Sequence, residues 1–304
     1  MLKTEEIRVR DPYIVAHEGK YYLYSSTIIN EQMSNRSVYV YVSTNCREWE
    51  EPKAVFTLPE EWWGDCELWA SEVHLYRGKF YLFVSLPDKT TTQLGLFCRR
   101  GTQIAVSDTP DGIFTPLADR AATPLTQSCI DGTLYVENDI PYMVYSRDWP
   151  SNFVKELDAY DGEIWAQQLS PDLAAPVGEP FQLFASSESG REWTALSIDA
   201  QPTHRYGSDA PFLSRMQNNS LLLTWSPIPA GNYTVCAAVS KSGSIRGPWQ
   251  HIEKPIFDRN GGHAMFFNDF DGTRKMCIHC PEREPEERAC IFTVEEDGDT
   301  YRIV

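Results

Sequence analysis

The sequence predicts an all-β chain folded as a five-bladed β-propeller, with four antiparallel strands to a blade, and three observations predict it. A two-strand phrase recurs five times along the 304 residues. Each copy is followed by a second strand-like piece with its own signature, and no stretch between them carries the apolar period of a helix. Four-stranded units repeated radially leave only short, protected sheet edges, which is how a propeller is built.

The first copy, RDPYIVAHEGKYYLYSS, opens on Arg10 and Asp11, alternates, turns at Glu18-Gly19-Lys20 and alternates again. VYVYVSTNCREWEEP follows from Val38 and completes four strands. The second unit is SEVHLYRGKFYLFVS from Ser71 and GTQIAVSDTPDGIFTPL from Gly101. The third is DGTLYVENDIPYMVYS from Asp131 and GEIWAQQLSPDLAAPVGEP from Gly162, with WPSNFVKELDAYDGE between them expected as a surface loop at a pocket rim. The fourth is DAPFLSRMQNNSLLLTWS from Asp209 with YTVCAAVSKSGSIRGPWQ from Tyr233. HAMFFNDFDGTRKMCIHC from His263 and CIFTVEEDGDTYRIV from Cys290 make the fifth. In every unit a polar turn joins runs of period two. The units are headed at 11, 72, 131, 209 and 263, spaced by 61, 59, 78 and 54 residues. No linker composition divides the chain, so one domain over 1–304 is expected.

Composition limits the partners. A formal charge of −16 repels phosphate backbones and anionic lipid, arguing against nucleic acid and membrane surfaces. Aromatic residues at 12%, nine of them Trp, suit strands and the flat faces of sugars. No apolar run approaches the ~18 residues of a membrane helix, and MLKTEEIRV lacks the apolar stretch of a secretory signal, so a cytoplasmic location is expected unless an export signal has been removed. Eight cysteines at irregular spacing read as reduced thiols. The pair in Cys277-Ile278-His279-Cys280 ends an apolar alternation and has no second pair to complete a zinc site.

In a propeller the first strand of each blade lines the axis, so the heads Asp11, Glu72, Asp131, Asp209 and His263 are expected to converge near one end. Any one of them alone reads as ordinary Asx-turn chemistry. Four carboxyls in one small volume repel one another and raise one another's pKa, a cost that turns need not incur. Paired carboxylates are the apparatus of glycoside hydrolysis, one protonating the leaving oxygen and the other activating water or attacking the anomeric carbon. Trp69, Trp149 and Trp193 lie near the heads as stacking platforms for a sugar, and Glu72 is a further substrate contact. Trp49, Trp165 and Trp249, in the second strand pairs, read as packing residues.

Taken in order, RDPYIVAHEGKYYLYSS, LWASEVHLYRGKFYLFVS, SCIDGTLYVENDIPYMVYS, GSDAPFLSRMQNNSLLLTWS and GGHAMFFNDFDG resemble family 43 of the glycoside hydrolases, five-bladed propellers that include arabinofuranosidases, xylosidases, arabinanases and galactan-cleaving enzymes. The resemblance implies that Asp11 is the general base and that Asp131 is the third carboxylate, which orients the acid and raises its pKa. The family's acid is usually a Glu in a Glu-Gly-Pro phrase, and that place here reads Asp209-Ala210-Pro211. Asp209 is then the acid in an adjusted pocket, with Glu72 or Asp148 as substitutes. His263 matches a Gly-His phrase whose imidazole, in many relatives, helps hold a metal ion, often calcium, through water. No cofactor is required on this reading, with a calcium ion in the channel as the option. His279, Arg283 or Arg288 would supply further polar contacts to an oligosaccharide or small glycoside.

Two other classes compete. A phosphorolytic propeller needs a cationic phosphate cluster, and Arg10 is the only basic residue beside a head. A non-catalytic sugar-binding propeller gains nothing from crowded charge at the heads.

Overall fold

The computed structural model describes the chain except for residues 28, 91–97, 125, 191–192, 195–203 and 228–230, and except for the side chains of Trp193 and Thr194. It is all-β, with 26 strands in six sheets among the described residues and only short 3-10 turns beside them. No helix among them is long and apolar enough to cross a membrane.

Five of the sheets follow one another along the chain as the repeats predict. The first holds β1 (Leu2–Lys3), β2 (Tyr13–His17), β3 (Lys20–Ser25), β4 (Ser37–Ser43), β5 (Glu48–Trp49) and β6 (Lys53–Thr57). The second runs β7 (Trp69–Tyr76), β8 (Lys79–Pro87), β9 (Arg100–Ser107), β10 (Thr115–Pro116). The third begins with β11 (Cys129–Glu137) and β12 (Ile140–Arg147), is interrupted by β13 (Phe153–Val154) and β14 (Ala159–Asp161), and resumes with β15 (Glu163–Gln168) and β16 (Phe181–Ala185). After β17 (Trp193–Thr194) and β18 (His204–Tyr206), the fourth contains β19 (Asp209–Arg215), β20 (Leu221–Ser226), β21 (Cys236–Ser240) and β22 (Trp249–His251). The fifth is β23 (Gly262–Asn268), β24 (Arg274–Cys280), β25 (Arg288–Asp297) and β26 (Thr300–Ile303).

Two expectations are corrected here. The first sheet has six strands, because β5 and β6 pair with successive parts of β4 and β1 adds to β5. The segment expected as a surface loop contributes β13 and β14 to a sixth sheet, β13-β14-β18-β17, in which β14 and β18 run parallel. Its short strands carry no long alternation, so the period-two signal that exposed the other sheets was absent.

The five first strands stand side by side in a cycle: β2 beside β7, β7 beside β11, β11 beside β19, β19 beside β23, and β23 beside β2. Between the sheets the alternating apolar residues interdigitate. Trp49, Trp225, Tyr24 and Tyr145 are fully buried there, and burying a Val, Leu or Phe side chain contributes about 1.5–3 kcal/mol. Trp165 and Trp249 pack against the same cores, in keeping with the packing role read for them.

Candidate active site

Near the start of each first strand stands one residue in the left-handed region. These residues are Asp11 (φ 52°), Ala70 (46°), Asp131 (55°), Ala210 (55°) and His263 (56°). In the second to fifth sheets this residue lies inside a bulge, between Trp69 and Glu72, Ile130 and Thr133, Asp209 and Phe212, and Gly262 and Met265. A bulge re-aims the strand, and αL at a non-glycine residue costs of order 1–2 kcal/mol. Surrounding bonds hold it in place. The Asp131 N–H donates to Ser85 Oγ at 3.0 Å and the His263 N–H to Ser226 Oγ at 2.9 Å, each serine lying near the end of the second strand of the preceding sheet. The Ala210 N–H donates to Asp131 Oδ2 at 2.9 Å, and the Asp11 N–H to His279 Nδ1 at 3.1 Å.

The register corrects the expected heads. Asp11, Asp131 and His263 occupy equivalent positions. Asp209 lies one residue earlier and Glu72 two residues later than the corresponding residue of its sheet. Glu72 is 3% exposed and accepts from His74 Nε2 at 3.0 Å, while His74 Nδ1 meets the Tyr13 hydroxyl at 3.1 Å. It is a member of a buried polar chain inside the ring of first strands.

The carboxyls are in unlike environments. Burial alone would raise Asp11, but the His263 charge and hydrogen bond, with the nearby Arg10, hold it well below the usual carboxylate range. His263 Nδ1 lies 3.0 Å from Asp11 Oδ1. Burial would lower His263, and the Asp11 charge and hydrogen bond outweigh it, raising the imidazole to about 10. His279 accepts from the Asp11 amide on Nδ1, so its Nε2–H points at Glu282, which also pairs with Arg10 at 2.7 Å. Asp131 is raised to about 6 by burial, with His263 opposing. Asp209 is raised well above the ordinary value, first by burial and then by the charges of Asp131 and Asp148. One carboxyl is therefore favoured in its charged form and another in its neutral form.

The remaining expected residues are placed unevenly. Trp69 is 40% exposed, with the buried Arg100 guanidinium over its ring, so it offers a free face. Trp149 is half-buried, edge-on to Tyr160 and capped by Arg205. The side chain of Trp193 lies outside the described residues. Arg288 donates to the carbonyls of Glu5, Pro285 and Glu287 and takes no part in the carboxylate cluster. Arg283 is exposed and paired with Glu286. His263 Nδ1 is committed to Asp11, which leaves Nε2 for the water-mediated metal contact implied for it, and no group of three or more His, Cys, Asp or Glu among the described residues is arranged to hold an ion directly. Sequence reasoning missed Tyr233, which is 1% exposed, stacks on His279 at 5.3 Å and feels the charges of Asp209 and Asp11. It also missed the serines that seat the heads, although each closes a strand phrase in plain view.

A sequence model described as Glycosyl hydrolases family 43 matches residues 5–298. The chain is similar in structure to the endo-arabinase from Bacteroides thetaiotaomicron VPI-5482, with a TM-score of 0.86 and 30% identity over 98% of each chain. In sequence it is similar to extracellular endo-α-(1→5)-L-arabinanase 1 of Bacillus subtilis (strain 168), 22% identical over 79% of this chain and 67% of that protein. It is also 23% identical to extracellular endo-α-(1→5)-L-arabinanase 2 of the same organism, over 87% of this chain and 55% of that protein, so it spans little more than half of that relative. A match across nearly the whole chain, on strands that carry the three aspartates, makes this protein a member of glycosyl hydrolases family 43.

Proposed function

We propose that this glycoside hydrolase of plant glycans works with inversion on L-arabinofuranosyl linkages, from a five-bladed propeller whose blades are the five consecutive sheets. The cycle of first strands supports the propeller, and the names of the similar proteins support the sugar. The chemistry rests on one contrast: the surroundings of Asp11 favour its charged form, whereas those of Asp209 favour its neutral form. Titratable groups whose environments push them apart mark the base and the acid.

Asp11 accepts a proton from water as that water attacks the anomeric carbon. Asp209 gives its proton to the departing glycosidic oxygen. Asp131 accepts from the Ala210 N–H, which pins the backbone directly after Asp209 and offsets the methylene that aspartate lacks relative to glutamate. His263 serves as the cationic partner of Asp11, and no step is assigned to an ion. A phosphorolytic reading finds no free cation pair here, because Arg10 is engaged by Glu282 and Arg100 by Glu67. The exposed Trp69 face is the platform for a sugar ring.

Leaving-group dependence tests the assignment. Asp209→Asn is expected to slow an arabino-oligosaccharide by about 10²-fold or more, a general-acid contribution, and a dinitrophenyl arabinofuranoside much less. Asp11→Asn is expected to slow both, and NMR is expected to show the inverted anomer first. Equal small losses on both substrates for Asp209→Asn, or a retained anomer, would overturn the roles.

A further inference from the structure

A buried carboxyl outside this scheme stands next to the acid. Asp148 directly follows β12 and is 8% exposed. Its N–H donates to the Ser128 carbonyl at 2.9 Å, and its own carbonyl accepts from the Ser151 hydroxyl at 2.8 Å, so its backbone is fixed on both sides. Two residues earlier, the Ser146 hydroxyl lies 2.6 Å from that of Ser208, the residue immediately before Asp209. Both serines are fully buried. One short bond thus ties together the strand ends that carry Asp148 and Asp209, with Asp131 as the third carboxyl of the group.

We propose that Asp148 is a positioning residue for the general acid, a second buried carboxylate that joins Asp131 in keeping the transferable proton on Asp209.

The inference rests on Asp209 being the acid. The charged and titratable groups that face the trio come from every side: Arg100 on β9, His263 on β23, Glu72 on β7, Arg10 and Asp11 ahead of β2, and Tyr233 ahead of β21. Cys129 feels the charges of both Arg147 and Asp148. His263 and Arg10 favour release of the Asp209 proton, whereas Asp131 and Asp148 oppose it. Burial, then the Asp131 charge, raises Asp148 to about 7, with Arg100 opposing. Asp148 therefore gains its charge as the solution turns alkaline, over the range in which an unassisted acid would empty. Neighbouring carboxyls resist ionising together, so charge on Asp131 and Asp148 works against loss of the Asp209 proton.

The test is the pH profile of kcat/KM for an arabino-oligosaccharide in wild type, Asp148→Asn and Asp148→Glu, with a dinitrophenyl arabinofuranoside run in parallel. For Asp148→Asn the alkaline limb is expected to move down by on the order of one pH unit, about a tenfold loss above the limb, while the plateau near pH 6 stays within about threefold of wild type. Asp148→Glu is expected to restore the limb, and the dinitrophenyl substrate, which needs no acid, to show no shift. An unmoved limb in a variant with a native circular dichroism spectrum overturns the proposal, as does a uniform loss at every pH on both substrates. If Asp148→Asn abolishes oligosaccharide turnover at all pH and spares the dinitrophenyl substrate, Asp148 is itself the acid and the positioning role is wrong. Failure of the underlying reading is separate: it shows as equal losses on both substrates in Asp209→Asn.

Discussion

Asp148 also tests the energetics at the scale of one residue. Below about pH 4, near the ordinary aspartate value, its carboxyl is protonated in both folded and unfolded chains. As pH rises toward 7 the unfolded chain releases a proton that the fold retains, because burial holds the group at about 7. The stability it contributes at low pH is therefore lost over that window, and above it the fold carries the full cost of a buried charge. Asp148→Asn is expected to flatten the decline in Tm between pH 4 and pH 8, measured calorimetrically. A decline as steep as in wild type would mean that Asp148 is not the group responsible. Asp11 has the opposite linkage, since its depressed pKa stabilises the fold above pH ~4 and that contribution is lost only in stronger acid.

At the scale of the element, the left-handed residue at the entry to each first strand, bulged in four of the five sheets, decides which side chain is presented there. Ala210 adopts αL, and its N–H meets Asp131, in a phrase where the family commonly has glycine. Glycine would relieve the Cβ strain, so Ala210→Gly is expected to raise unfolding stability by up to about 1 kcal/mol, read from urea midpoints, with turnover largely kept. A loss of stability would show that the alanine methyl packs too well to remove. These bulges also explain how much of the site was legible. Asp11, Asp131 and His263 sit on the αL position itself, so a repeated phrase reveals them. Glu72 was misaligned because the equivalent residue in its sheet is Ala70, and a bulge hides such an offset from a period-two reading. Arg288 looked available because a sequence does not show which carbonyls a guanidinium will satisfy. The inserted sheet escaped notice because strands of two or three residues carry no period.

At the scale of the whole molecule, the ring of sheets is closed between the first and the fifth without a shared strand ladder. The Val9 N–H donates to the Glu287 carbonyl, Arg8 and Arg288 form an isolated bridge, and the Glu287 carboxylate meets Arg8 at 3.2 Å and Arg10 at 3.8 Å. Glu287 is 1% exposed, whereas its partners are partly solvated. Glu287→Gln is expected to cost about 1.5–3 kcal/mol, the worth of charged hydrogen bonds, and to lower Tm more in dilute buffer than at 1 M salt, where screening has already weakened the pairs. An unchanged Tm in both buffers would remove the ion pairs from any part in closure.

The Asp11–His279 contact joins two functions in one imidazole. It receives the amide of Asp11, the residue proposed to activate water, from the first sheet while being carried by the last. A breath at this join, too small to disturb the cores of the five sheets, would leave Asp11 without its seat. Inactivation would then run ahead of denaturation, and the exchange rate of a single amide proton, that of Asp11, would report how often the catalyst is briefly absent from an otherwise folded molecule.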